Sequence, residues 1–108
     1  MKSIEEIKYS KKLEPYFLWY LKSNLMMPRI VQMVIRGGNI EHTNGLDLML
    51  NHERSTKALL KQLEKHVATE DISHVFNDVC KHYLQTIGPG VIVKRSPELL
   101  IIQDCSQN

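Results

Sequence analysis

The segment that decides the fold is Tyr16-Phe17-Leu18-Trp19-Tyr20-Leu21, which contains the only tryptophan of the chain. Continued through Met27, this aromatic segment is apolar on almost every side of a helix. A helix of that kind lies either at the centre of a fold or on a contact surface. The pattern therefore predicts a helix that forms much of the core and leaves part of its apolar surface uncovered.

The residues before the aromatic segment predict a short first helix. Ser3 and Glu6 are spaced as in a capping box, in which each side chain bonds the backbone N–H of the other residue. A helix should therefore begin at about Ile4. Pro15 is expected to kink or end it, because proline lacks the backbone N–H that a helix interior needs.

The residues after the aromatic segment leave two interpretations open. Pro28 suits the first turn of a new helix, and Gly37-Gly38 would stop that helix. Residues 39–50 then carry a hairpin signal, Asn44-Gly45, followed by alternating leucines that suit a strand. The same region also offers apolar residues at helical spacing, and its pattern continues into the next segment, which favours a helix.

Two amphipathic helices are predicted in the second half of the chain, because apolar residues recur there at helical spacing. The first covers residues 52–68, and Thr69 or Asp71 can cap the second. The core-facing positions of the first helix are Thr56, Leu59, Leu60, Leu63 and Val67. Those of the second are Ile72, Val75, Phe76, Val79, Tyr83, Leu84 and Ile87, with Cys80 at the edge.

The end of the chain predicts a β-hairpin. Gly88-Pro89-Gly90 should end the preceding helix. Residues 91–94 and 99–102 are apolar runs with turn-forming residues between them, which is typical of two strands. The predicted fold is therefore mainly α, with four to five helices around one core and a C-terminal β-hairpin. It becomes α+β if residues 39–50 form a second hairpin.

The composition is that of one ordinary globular domain covering residues 1–108. Hydrophobic residues make up 43% of the chain and charged residues 24%, with a net charge of +2. That balance excludes a disordered tail and a disulfide-dense scaffold. Residues 1–36 hold seven basic and three acidic side chains. This cationic block suits a solvated face or an anionic partner.

A reducing, cytoplasmic location is predicted. The two cysteines, Cys80 and Cys105, are too few for a disulfide framework. The first residues are acidic where a signal peptide needs an apolar run. Residues 16–35 are interrupted by charged and polar side chains, so we expect no membrane span and no membrane partner.

No pattern of residues predicts catalysis, a metal site or a cofactor. The histidines include no pair at the three- or four-residue spacing that places two ligands on one helix face, so scattered surface histidines are expected. They are His42, His52, His66, His74 and His82. Neither glycine cluster matches a phosphate-binding loop. We therefore expect neither an enzyme nor a small-molecule substrate.

A stripe of basic residues is the first surface that suggests a partner. This basic stripe consists of Arg54, Lys57, Lys61 and Lys65 on one helix face. Residues 29–67 resemble a helix-turn-helix module: an apolar helix, Gly-Gly, a short Leu/Met-rich helix and then the basic helix. The resemblance implies a turn at residues 50–52 and contacts between the basic helix and DNA. The predicted hairpin could add a wing that carries Lys94 and Arg95. Two glutamates border the stripe and would repel phosphate, so a solvated helix face is the alternative.

The apolar excess is the second such surface, since aromatic residues and methionine are enriched at interface centres. The candidate interface residues are Tyr16, Phe17, Trp19, Tyr20, Met26, Leu99 and Ile101. The sequence thus favours a small regulatory protein, an adaptor or inhibitor, that binds another protein and forms a homodimer. A DNA-binding regulator is the alternative, and an enzyme is the third class.

Overall fold

The computed structural model describes the backbone of residues 2–35 and 44–95, and the side chains of residues 2–26 and 49–95. Within these ranges the chain forms five α-helices and one 3-10 turn (Thr69–Asp71), and it contains no strand. The helices are α1 (Ile4–Lys8), α2 (Glu14–Ile35), α3 (Asn44–Glu64), α4 (Ile72–Thr86) and α5 (Pro89–Arg95). The prediction of a mainly helical fold is confirmed.

Helix α1 begins with the predicted capping box. The hydroxyl oxygen of Ser3 accepts a hydrogen bond from the backbone N–H of Glu6 at 3.2 Å, and the Glu6 carboxylate accepts one from the Ser3 N–H at 3.3 Å. The prediction that Pro15 kinks or ends this helix was wrong, because α1 ends at Lys8. Pro15 is the second residue of α2, where a backbone N–H would have no partner within the helix.

Helix α2 continues through Pro28, so the predicted start of a new helix at that residue was wrong. A proline inside a helix removes one hydrogen bond and kinks the helix, and it does not always end it. The predicted stop at Gly37-Gly38 lies outside the described residues. The described part of α2 runs to Ile35.

Helix α3 settles part of the ambiguity at residues 39–50. Residues 44–50 are helical, with the hairpin signal Asn44-Gly45 in the first turn, so they form no second hairpin. Residues 39–43 lie outside the described residues. Helix α3 ends at Glu64, earlier than the predicted limit of residue 68, and a turn then leads to the 3-10 segment.

The core is built by the faces that the apolar spacing predicted. Phe17, Leu18 and Leu21 of α2 pack with side chains of α3 and α4. The fully or nearly buried members from the second half are Leu59, Leu63, Val67, Val75, Val79, Cys80, Tyr83 and Ile92. Cys80 packs in this core as a small apolar side chain, as expected. Helix α1 contributes Ile7, which is also fully buried.

The prediction of a C-terminal hairpin was wrong for its first strand. Residues 89–95 form α5, where a strand was expected. Gly88 adopts a φ of +86°, a left-handed conformation that favours glycine, and the chain turns there from α4 into α5. Pro89 then takes the first helical position, for which its fixed φ is suited. The second predicted strand, residues 99–102, lies outside the described residues.

No helix among residues 2–35 and 44–95 is both long enough and apolar enough to cross a membrane.

Candidate functional surfaces

A buried polar cluster joins α2 to α3. The hydroxyl of Ser23 lies 2.9 Å from Nδ1 of His52 and 2.8 Å from the hydroxyl of Ser55. Ser23 is 4% exposed and Ser55 is fully buried. The Tyr20 ring lies against the His52 ring, with centroids 5.6 Å apart and the planes 31° apart.

Ser23 and His52 are as close as a serine nucleophile and its general base would be. Their other contacts, however, indicate a structural hydrogen bond. The Ser23 hydroxyl lies 2.7 Å from the carbonyl oxygen of Tyr20, and the Ser55 hydroxyl lies 2.9 Å from that of His52. Both hydroxyls therefore have backbone acceptors within hydrogen-bond distance, and a substrate has little access to either. The cluster holds α2 and α3 in register.

The aromatic segment lies mostly inside the protein. Phe17 and Trp19 are fully buried, so neither offers a surface for an interface in the folded monomer. The Trp19 indole Nε1–H donates to the side-chain oxygen of Asn51 at 2.9 Å. The other described members of the predicted interface, Tyr16, Tyr20 and Met26, are half-buried. Leu99 and Ile101 lie outside the described residues.

An open groove of about 430 Å³ lies between α3 and α4. Half-buried Leu60, Ile72 and Phe76 supply its apolar surface, and exposed Ser73 and Asn77 lie at its rim. The complete lining, which we call the α3–α4 groove, is Thr56, Leu60, Thr69, Ile72, Ser73, Phe76 and Asn77. None of these side chains is ionisable. The groove therefore suits an apolar, uncharged ligand surface.

Two residues that line the groove, Thr56 and Phe76, also contact residues of the polar cluster. The Thr56 hydroxyl donates to the carbonyl oxygen of His52 at 2.8 Å. The Phe76 ring contacts the Tyr20 ring edge to face, with centroids 4.7 Å apart. Burial, with a smaller contribution from Cys80, raises the pKa of Tyr20 above its ordinary value of 10.0.

The basic stripe is exposed along its whole length. Lys57 of this stripe is already paired, because its ammonium lies 2.9 Å from the Glu53 carboxylate. The hydrogen bond from Lys57, together with its charge, lowers the pKa of Glu53 below its ordinary value. An anion that contacts the stripe at this point must compete with Glu53.

The arrangement of helices differs from the module that residues 29–67 resemble. The implied turn at residues 50–52 is absent, since these residues lie in the interior of α3. The first strand of the expected wing is replaced by helix α5, whose last residues are Lys94 and Arg95, and the second strand lies outside the described residues. Both side chains are exposed. Arg95 forms an ion pair with Glu14 at 3.7 Å.

The histidines are less exposed than the sequence suggested. Of those the structure describes, His74 is exposed, whereas His52, His66 and His82 are half-buried. His42 lies outside the described residues. Among the described side chains, no group of three or more His, Cys, Asp or Glu residues could hold a metal ion.

Cys80 and Tyr83 are acidic groups that burial keeps protonated. Burial raises the pKa of the Cys80 thiol from 9.0 to about 12. Burial, with smaller contributions from Glu14 and Cys80, raises the pKa of Tyr83 from 10.0 to about 12. Because both folded values exceed the unfolded ones, the stability they contribute is complete below about pH 9 and is lost as the pH rises towards 12.

A thiol-reactivity measurement checks the environment of Cys80. In a Cys105→Ser variant, we expect almost no reaction with a disulfide reagent at pH 8, because the folded protein holds the thiol neutral and buried. Guanidinium at an unfolding concentration should release one reactive thiol. Reaction of the folded protein at the rate of a free small thiol would contradict this prediction.

Comparison with known proteins adds no relative: no family model matches the chain, and neither a curated protein nor a solved structure is significantly similar to it.

Sequence reasoning missed the polar cluster and the groove. The cluster had a signal, because Ser23 interrupts the aromatic segment and Ser55 lies one helical turn before buried Leu59. A small polar residue at a core-facing position predicts a buried hydrogen bond. The groove had no such signal, since its two sides come from different helices.

Proposed function

We propose that this chain is a small non-enzymatic regulatory protein that binds another protein through the α3–α4 groove. The partner inserts apolar side chains between Leu60 of α3 and Phe76 of α4. The volume of the groove, about 430 Å³, accommodates a few such side chains. The observation that carries the proposal is that the lining is apolar at its centre and uncharged throughout.

The contrast with the basic stripe supports a protein partner over a nucleic acid. Nucleic-acid binding depends on cations that contact phosphates, and the groove has none in its lining. Protein interfaces instead combine an apolar centre with a polar rim. Ser73 and Asn77 supply hydrogen-bonding groups of that kind at the edge of Phe76.

A capture experiment with matched variants tests the proposal. Immobilised wild-type protein, Ser73→Arg and Gln85→Arg are exposed to the same extract of the source cells. Ser73 and Gln85 are both exposed on α4, but only Ser73 lines the groove. We expect wild type and Gln85→Arg to capture the same partner. Ser73→Arg should capture about tenfold less of it, because a large charged side chain at the rim then obstructs access to the apolar centre of the groove.

Two outcomes would overturn the proposal. One is capture that is equal for all three proteins, and the other is the absence of any protein that wild type retains above a blank support. Circular dichroism of each variant shows whether it is folded. A Lys57→Gln/Lys61→Gln variant, changed only in the basic stripe, should capture the partner as wild type does.

Binding of DNA by the basic stripe is the second candidate function, favoured by the exposure of all four cationic side chains. Retention on heparin that falls steeply between low and moderate salt would support it, because phosphate-like contacts release counterions. Retention that Lys57→Gln/Lys61→Gln leaves unchanged would count against it.

A cytoplasmic location and a homodimer belong to the same proposal. The exposed fractions of Phe17 and Trp19 are zero, so a dimer cannot form through them without unfolding of the core. Among the described members of the predicted interface, only the half-buried Tyr16, Tyr20 and Met26 retain surface for a second copy.

A further inference from the structure

Tyr9, in the turn after α1, is an aromatic side chain that the fold leaves in solvent. It is 70% exposed, more than any other large hydrophobic residue among those described. The next most exposed are Leu50 at 44% and Val91 at 43%. An aromatic ring with this much open surface provides an unused stacking platform.

The ring of Tyr9 has one aromatic contact, and the backbone around it is held by hydrogen bonds. Its centroid lies 5.5 Å from that of His82 of α4, with the planes 76° apart. The preceding residue is anchored as well, because the buried Tyr83 donates its hydroxyl hydrogen to the carbonyl oxygen of Lys8 at 3.0 Å. The Tyr9 backbone N–H donates to the carbonyl oxygen of Glu5 at 3.2 Å. The ring is thus positioned without being covered.

Three lysines lie near Tyr9 along the chain or next to its ring partner. Lys11 and Lys12 follow Tyr9 by two and three residues in the connection to α2, and Lys81 immediately precedes His82 on α4. All three are exposed, and none forms an ion pair with a described residue. Of the acids nearby, Glu5 is paired with Lys8 at 3.3 Å and Glu14 with Arg95, whereas Glu6 and Asp78 form no ion pair with a described residue. The three lysines outnumber these two unpaired carboxylates, so the local charge is positive.

We propose that this Tyr9 surface (Tyr9, Lys11, Lys12 and Lys81) binds single-stranded nucleic acid. One base stacks on the Tyr9 ring and the neighbouring phosphates contact the three lysines. An exposed aromatic ring beside unpaired cations is the combination that proteins use for single strands, because every base has a stacking face and every nucleotide a phosphate. In a duplex the bases are already stacked on one another, so the ring has no base to receive.

The Tyr9 surface is separate from the two surfaces discussed above. It is formed by the turn after α1 and by the second half of α4, whereas the α3–α4 groove is lined from α4 only by residues 72–77. It also shares no residue with the basic stripe. Failure of the nucleic-acid proposal would therefore leave the protein-binding proposal intact, and the reverse also holds.

Fluorescence anisotropy with a labelled oligothymidylate of about twelve nucleotides, within the usual site size, tests the proposal on the full chain. We expect binding at low salt that is tighter for the strand than for its duplex with oligoadenylate. Tyr9→Ala should weaken binding about tenfold, and Tyr9→Phe should bind as wild type. Lys11→Gln/Lys12→Gln should make the dependence of log affinity on log salt shallower by about 1.4.

The matched control is Lys57→Gln/Lys61→Gln, which removes the same charge from the basic stripe and should weaken binding of the strand less than Lys11→Gln/Lys12→Gln does. Equal weakening by the two lysine pairs would show diffuse charge attraction and overturn the proposal. Unchanged binding by Tyr9→Ala, tighter binding of the duplex, or no binding at low salt would overturn it as well. Because Tyr9 is exposed, its variants should remain folded, and circular dichroism checks this.

Discussion

Phe17→Ala is expected to lower the free energy of unfolding by about 3–5 kcal/mol, the usual loss when a buried phenylalanine is truncated. The Phe17 side chain has no exposed surface, and its ring lies 5.6 Å from that of Tyr83, centroid to centroid. Alanine would leave a cavity where α2 meets α4. Guanidinium unfolding followed by circular dichroism measures the loss.

Tyr9→Ala is the matched control for this measurement. It also removes an aromatic ring, but from a side chain that is 70% exposed, so the loss should stay within about 0.5 kcal/mol. A domain of this size is stable by about 5–15 kcal/mol in total. If Phe17→Ala does not fold, Phe17→Leu should show a smaller, measurable loss. A loss from Phe17→Ala no larger than that from Tyr9→Ala would show that α2 is not the centre of the core.

Ile92→Ala is expected to destabilise the protein by about 2–5 kcal/mol, because Ile92 is the residue through which α5 enters the core. Its exposed fraction is zero, whereas those of its neighbours Val91 and Val93 are 43% and 36%. Thermal and denaturant unfolding of the variant both report this loss.

Val91→Ala and Val93→Ala discriminate the helix from the strand that the sequence predicted. In α5 the two valines lie partly in solvent, and each truncation should cost less than about 1 kcal/mol. In a hairpin covered on both faces, all three residues would be buried and their losses would be similar. Similar losses would therefore contradict the helical assignment of residues 89–95.

Much of the fold was predictable because short-range signals and burial agree. The Ser3–Glu6 capping box defines the start of α1 by local hydrogen bonds alone. The apolar spacing of residues 72–87 identified the buried face of α4, including Val75, Val79 and Tyr83. In each case the information lies within a few turns of one helix.

The wrong predictions of secondary structure occurred where the same local sequence is compatible with two different structures. Proline at residue 15 or 28 can start, kink or end a helix, and its neighbours in space decide which. The run Val91-Ile92-Val93 suits a strand by propensity, but such preferences amount to tenths of a kcal/mol. Burial of a single isoleucine outweighs them, and Ile92 is the one buried.

Some features of the candidate surfaces were predictable from the sequence and others were not. The exposure of the basic stripe followed from its position opposite the apolar residues of α3, so the sequence predicted it. The ion pair between Lys57 and Glu53 was also predictable, because residues four apart on a helix are neighbours. The complete burial of Phe17 and Trp19 was not predictable from the sequence, since an all-apolar helix suits a core and an interface equally.

By itself, the sequence determined that this chain is mainly helical, where α1 begins and which faces of α3 and α4 are buried. These features follow from periodicity and capping, which act between residues a few positions apart. Only the tertiary structure brought Ser23 to His52, Leu60 to Phe76 and Tyr9 to His82. Those contacts join different helices or turns, and their geometry depends on how the helices pack.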